Sequence, residues 1–122
     1  MKATVAEYLP KIPGPPNETW PQGARSTVAM ERGSMQLRLF APGAFDRQQP
    51  HTRDELYVVI EGSGTFVVDH AAGTEHIAFG PHDVLFVAAH VPHRFVGTTP
   101  DFKTWVVFYG PDRSEPEPGG KK

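Results

Sequence analysis

The stretch 49-QPHTRDELYVVIEG-62 decides how this chain is read. Its second half, from Glu55 to Glu61, holds the aliphatic and aromatic run 56–60 between two glutamates and stops at Gly62-Ser63-Gly64, a turn signal, so it reads as a strand. Both parities of that strand are apolar: Tyr57 and Val59 on one, Leu56, Val58 and Ile60 on the other. A strand with one face in water alternates cleanly between apolar and polar. Both faces of this one are therefore expected to be covered. Its first half raises a chemical question, because an amide (Gln49), an imidazole (His51) and a carboxylate (Glu55) stand at the entrance to the most apolar run of the chain.

Working outward, further short apolar runs are expected as strands over 26–31, 34–40, 64–69, 74–79, 83–89, 93–97 and 102–109. Turn residues separate them, among them Arg32-Gly33, Ala41-Pro42-Gly43, Ala72-Gly73, Gly80-Pro81 and Thr99-Pro100-Asp101. No stretch between residues 24 and 110 sustains a helical period. Regularly spaced short strands with tight turns imply an all-β sandwich or barrel. The run 102–109 is again apolar on both parities, Trp105 and Val107 against Val106 and Phe108. One face of this sheet lies inside; the other must meet the N-terminal arm or a second copy, and a homodimer is the expected consequence.

The ends differ from the middle. Residues 3–9 fit one or two helical turns closed by Pro10, and 11-KIPGPPNETWPQG-23 is too rich in proline to join a ladder. Ile12 and Trp20 mark it as an extended arm that packs on the domain, since solvated leaders rarely carry tryptophan. The organisation expected is an arm over 1–25, a β domain over 26–110 and a polar, proline-rich, disordered tail over 111–122.

Composition excludes several classes. The formal charge is −2, with acids and bases interspersed, so no basic stripe offers a nucleic-acid groove. No apolar run approaches the roughly 20 residues that span a bilayer, and Glu7, Pro10 and Lys11 interrupt any signal-peptide core. The chain has no cysteine, hence neither disulfide nor thiolate chemistry. A cytoplasmic protein acting on a small molecule is the expectation.

Spacing constrains the polar trio. In an extended strand Gln49 and His51 share a face with Cα atoms about 6.6 Å apart, whereas His51 and Glu55 would be separated by about 13 Å. Two ligands of one ion each lie only about 2 Å from it. The two side chains can cooperate only if the chain folds back at Thr52-Arg53-Asp54, which is polar and turn-competent.

Gly43, five residues, Gln49, one residue, His51, three residues, Glu55, six residues, Gly62 resembles the first signature of the cupin superfamily, with Gln49 where that signature has its first histidine. In 82-HDVLFVAAHVPHRFVG-97, His93 falls where the second signature supplies its histidine; His82, Ala88, His90 and Gly97 stand where the family has Gly, Pro, Gly and Asn. The resemblance covers roughly residues 35–109. It implies a single-domain cupin jelly-roll, a double-stranded β-helix barrel, holding one divalent metal on the positions of Gln49, His51, Glu55 and His93.

Imidazole suits Fe, Ni, Cu and Zn, and a carboxylate extends the choice to Mn. The neutral amide of Gln49 is the weak member of such a set. It can coordinate loosely, hold a metal-bound water, or orient His51. The alternative is a metal-free pocket in which the same groups satisfy one another. Parity carries Tyr57 and Val59 inward after Glu55, and Phe95 after His93; Tyr57 or a bound water would then handle protons. Phe40, Phe86 and Trp105 line the cavity or fill the core. Arg38 is solvated, or meets an anionic substrate if its face is interior. His70, His76 and His82 read as surface residues, and His90 as a loop residue tolerating positive φ. Two functions fit: a small metal-dependent enzyme (dioxygenase, isomerase or lyase) acting on an oxygen-bearing molecule, or a non-enzymatic binding or sensing module.

Overall fold

The computed structural model describes residues 1–112, so most of the tail expected over 111–122 lies outside the described residues. Eight strands form two antiparallel sheets: β1 (Ser26–Arg32), β2 (Met35–Phe40), β3 (Asp54–Glu61), β4 (Gly64–His70), β5 (Gly73–Phe79), β6 (Val84–Val87), β7 (His93–Val96) and β8 (Lys103–Tyr109). The first sheet has the order β1-β2-β8-β3-β6 and the second β5-β4-β7, and neither closes on itself. The protein is all-β, as the turn spacing implies. Only β6 is clearly shorter than expected, because the chain turns off at Ala88 and Ala89 to make the loop that carries His90.

Alternation in β3 sorts the side chains. Glu55, Tyr57 and Val59 are each at most 1% exposed and point between the sheets, while Leu56, Val58 and Ile60 are half-buried on the outer face. The register across β2, β8 and β3 lines up inward-facing residues in rows: Arg38, Val106 and Tyr57 in one, Gln36, Phe108 and Glu55 in the next. The two inner faces meet through aromatic rings. Tyr57 packs edge-on against Phe66 (5.5 Å between centroids) and Phe95 (4.9 Å), and Phe95 also meets Phe102 at 4.8 Å. Each such side chain buried contributes about 1.5–3 kcal/mol, which fixes the spacing of the sheets around the polar groups described below.

The turn between β3 and β4 needs its glycine. Gly62 has φ +87°, and a Cβ there would lie 2.5 Å from the Cα of Phe102. On the outer face, Trp105 is half-buried, whereas Val84 and Phe86 on the edge strand β6 are 59% and 53% exposed. Phe86 pairs with Leu56 and so shares its outward parity; it neither lines the cavity nor joins the core.

The N-terminal segment begins with a short helix α1 (Val5–Tyr8), capped by the Thr4 hydroxyl accepting from Glu7 N–H at 3.2 Å, and a 3-10 turn over Leu9–Lys11. Tyr8 Oη donates to the Ala29 carbonyl at 3.1 Å. Backbone bonds from Gly14 N–H to Ala24 O and from Ala24 N–H to Pro15 O hold the proline-rich stretch in a loop. That loop lays the Trp20 ring edge-on against Phe40, 6.2 Å between centroids. Among the described residues no helix is long and apolar enough to cross a membrane.

Candidate metal centre

His51 lies in the segment before β3, and a bend at Thr52-Arg53 reverses the chain enough to meet the geometric demand of the sequence. The loop between β6 and β7 clamps that bend: His90 N–H donates to the His51 carbonyl at 2.7 Å, and Ala89 N–H to Asp54 Oδ1 at 2.9 Å. His90 adopts φ +69°, the left-handed conformation anticipated for it, and His82 does the same at +73°. As a result His51 Nδ1 comes within 2.7 Å of Glu55 Oε2. From the facing sheet, β7 brings His93 in: its Nε2 is 3.4 Å from Glu55 Oε2, and the two imidazole centroids are 5.8 Å apart.

The structure thus unites His51, Glu55 and His93, with one potential ligand atom from each lying within 4.8 Å of the others. Two atoms bound to one ion at about 2.1 Å are at most about 4.2 Å apart, so small side-chain shifts close the set. Gln49 is placed differently. Its side chain is exposed on the rim of the same cavity, with Nε2 directed at the Arg47 carbonyl 3.5 Å away.

Two neighbours that the sequence reading passed over enter the site instead. Gln48 Oε1 accepts from Tyr57 Oη at 2.9 Å, while its Nε2 donates to Asp46 Oδ2 at 2.7 Å. Asp46 also accepts from the backbone N–H of Phe95 on β7 at 2.8 Å, tying this loop to the strand that carries His93. Burial raises the Asp46 carboxyl above its usual value, and the hydrogen bonds from Phe95 and Gln48 oppose that rise. Within 46-DRQQ-49 nothing marks these two residues out, since a polar run between a turn and a strand reads as solvated loop.

The protons at the centre decide whether an ion fits. The Val91 carbonyl takes the Nδ1–H of His93 at 2.8 Å, so the neutral ring presents its Nε2 lone pair inward. Tyr57 Oη has one proton and faces Gln48 Oε1 and Glu55 Oε1, both at 2.9 Å, and His93 Nε2 at 3.0 Å. Glu55 is 1% exposed, and among the described residues no lysine or arginine pairs with it. Every buried side-chain polar atom among the described residues has a hydrogen-bond partner, yet no lysine or arginine meets the Glu55 carboxylate, a deficit that a bound cation would offset. Two imidazoles and a carboxylate are the donors that suit Fe, Mn, Ni or Zn.

Tyr57 is fully buried. Desolvation pushes its hydroxyl well above the usual value of 10.0, and the Glu55 charge and the hydrogen bond to it push further the same way. The phenol is therefore a held proton rather than a base.

A cavity of about 750 Å³ opens over this centre, within the range of small-molecule sites. Tyr57, Glu55 and His51 stand at one end, Phe40, Val106 and Phe108 along the floor, Trp20 from the N-terminal loop at the side, and Arg38 opposite. Arg38 faces the interior and not bulk water, the alternative its parity left open.

The profile of the Cupin domain matches residues 36–109, more than half of the chain. The chain belongs to the cupin family. An uncharacterized protein of Streptomyces coelicolor is 34% identical over 92 residues, covering 74% of this chain and 83% of that protein. A cupin superfamily protein from Desulfitobacterium hafniense is 23% identical, with a TM-score of 0.52 over 69% of this chain and 74% of its own. The Fe(II) form of HppE is 19% identical, with a TM-score of 0.54 over 69% of this chain and 48% of its own. At these identities the two solved structures share the fold alone with this cupin.

Proposed function

We propose that this cupin binds one divalent metal on His51, Glu55 and His93 and acts as a small metal-dependent enzyme on an oxygen-bearing small molecule. The two sheets are read as the halves of a jelly-roll barrel, with Gln49 at the rim as a weak further donor. The observation that carries the reading is the buried Glu55 carboxylate facing two imidazoles, with no lysine or arginine paired to it among the described residues. Fe(II) in a fold-level neighbour, HppE, is consistent with it. A bound ion would supply a Lewis acid for a carbonyl or enol oxygen, or a redox centre if it is iron.

The chain's own residues do the remainder. Val91 fixes the tautomer of His93, and the backbone bonds from Ala89 and His90 hold the 51–54 bend in place. Tyr57 Oη keeps a proton beside the reacting end of the cavity, available to a developing oxyanion. Val106, Phe108 and Trp20 keep water from the floor and side. Water-proton relaxation by Mn(II)-loaded protein tests the enzyme reading. Relaxation enhanced well above that of a fully ligated Mn(II) complex shows an open, exchanging position, as an enzyme requires. Relaxation no greater than that complex gives marks a closed site and favours the non-enzymatic binding or sensing module.

We read the protein as a cytoplasmic homodimer, and the apolar outer face of the first sheet supports the dimer. Leu56, Val58, Trp105 and Val107 are only half-covered, and Val84 and Phe86 continue the apolar surface to its edge. Sedimentation of wild type against Phe86→Glu tests it, a monomeric wild type being the contrary result.

A further inference from the structure

We propose that Arg38 is the recognition residue for an anionic group, carboxylate or phosphate, at the far end of the molecule whose oxygen meets the metal centre. The inference deepens the functional reading and rests on it for the metal-proximal end only. Arg38 sits on β2 in the same inward-facing row as Val106 and Tyr57, two strands from β3. Strands lie about 4.8 Å apart, which puts the backbone of Arg38 about 10 Å from that of Tyr57 across the cavity floor. Val106 and Phe108, both buried, fill the interval.

The guanidinium is held ready. Its Nε donates to Gln36 Oε1 at 2.8 Å and its Nη1 to Ser26 Oγ at 2.8 Å. Gln36 is oriented in turn by donating through Nε2 to Glu31 Oε2 at 2.6 Å. A guanidinium has five N–H donors, so two neutral acceptors leave most of the fork free, and among the described residues no carboxylate forms an ion pair with it. Partial burial lowers its pKa from the usual value, and the nearby Glu31 charge opposes that fall.

Two further arginines, Arg25 and Arg53, line the same cavity, while Glu18 and Asp112 are exposed at its rim. A planar fork of this kind binds carboxylate or phosphate bidentately, and a charge-assisted pair gains strength where water is excluded. An uncharged partner would leave the fork desolvated and uncompensated.

The test is calorimetric titration of Mn(II)-loaded and chelator-stripped protein with succinate, glycerol 3-phosphate and the neutral succinamide, for wild type, Arg38→Gln and Arg38→Lys. At least one anion should bind wild type about tenfold or more tightly than succinamide, and Arg38→Gln should erase the preference with its thermal melt and Mn(II) uptake unchanged. Which anion wins identifies the source of the charge. If Arg38→Gln does not fold, Arg38→Lys decides: it keeps the charge but not the fork, so anion affinity should fall with Mn(II) affinity unchanged. Equal binding of anions and amide, no binding of either anion, a preference that survives in Arg38→Gln, or undiminished anion affinity in Arg38→Lys overturns the proposal. An Arg38-dependent preference in protein that takes up no Mn(II) would sink the metal reading and leave this one standing; Mn(II) uptake without the preference would do the reverse.

Discussion

Tyr57→Phe removes one oxygen and leaves the ring. Because packing against Phe66 at 5.5 Å and Phe95 at 4.9 Å is kept, no cavity forms beyond the volume of the hydroxyl. What is lost is the proton that Glu55 Oε1 and Gln48 Oε1 share at 2.9 Å each. Hydrogen bonds to charged groups contribute about 1.5–3 kcal/mol, and a buried acceptor left without a donor carries a penalty of similar size. We expect the metal-free variant to be destabilised by about 2 kcal/mol, a fall of roughly 6–10 °C in Tm for a domain of this size.

A divalent ion offsets that loss by neutralising Glu55, so saturating Mn(II) or Zn(II) should shrink the difference between variant and wild type. Paired thermal and urea melts with chelator and with metal measure both effects. A double-mutant cycle with Glu55→Gln should show coupling of about 1 kcal/mol or more between the two side chains. A variant as stable as wild type in chelator, or a difference that metal leaves unchanged, would refute the view that Tyr57 serves a charge-poor metal centre.

The raised Tyr57 pKa has a definite sign. The folded protein keeps a proton that the unfolded chain releases near pH 10, so stability falls as pH rises above about 10. Tyr57→Phe should show a flatter alkaline limb in denaturant titrations, and wild type should show no more tyrosinate absorbance than the variant until it unfolds. Gly62→Ala should cost roughly 2–4 kcal/mol, because its Cβ would lie 2.5 Å from backbone and φ is +87°; Gly33→Ala, at φ +57° with open space around it, should cost about 1 kcal/mol in the same melts. Gln49→His replaces the weak rim donor by an imidazole and should slow loss of Mn(II) to a chelator; an unchanged rate would remove residue 49 from the site.

The strands were legible because each is a short apolar run between strong turn residues; with both parities of β3 apolar, it was the family resemblance at Glu55 that chose the inward face, and parity then carried Tyr57 and Val59 with it. The second signature placed His93 in the site and parity brought Phe95 inward after it, and both are buried. Parity failed between Ala41 and Arg53, where the backbone forms no ladder and a period of two has no meaning. There the polar run hid Asp46 and Gln48, and only the facing strand β7, with the Phe95 N–H seeking an acceptor, shows why they turn inward. Arg38 was ambiguous for a related reason. Its strand has an apolar outer face, Leu37 and Leu39, so a charged residue on the opposite parity looked solvated until the sheet showed that parity to face the cavity.

The most direct test of the metal centre is a titration of chelator-stripped protein with Mn(II), followed by electron paramagnetic resonance and elemental analysis, for wild type and His93→Ala. Wild type should take up a single ion per chain, and the variant should bind it at least about a hundredfold more weakly, since removing a ligand outweighs the loss seen on removing an outer-shell partner. Uptake by the variant equal to that of wild type, or no saturable uptake by either, would contradict the account.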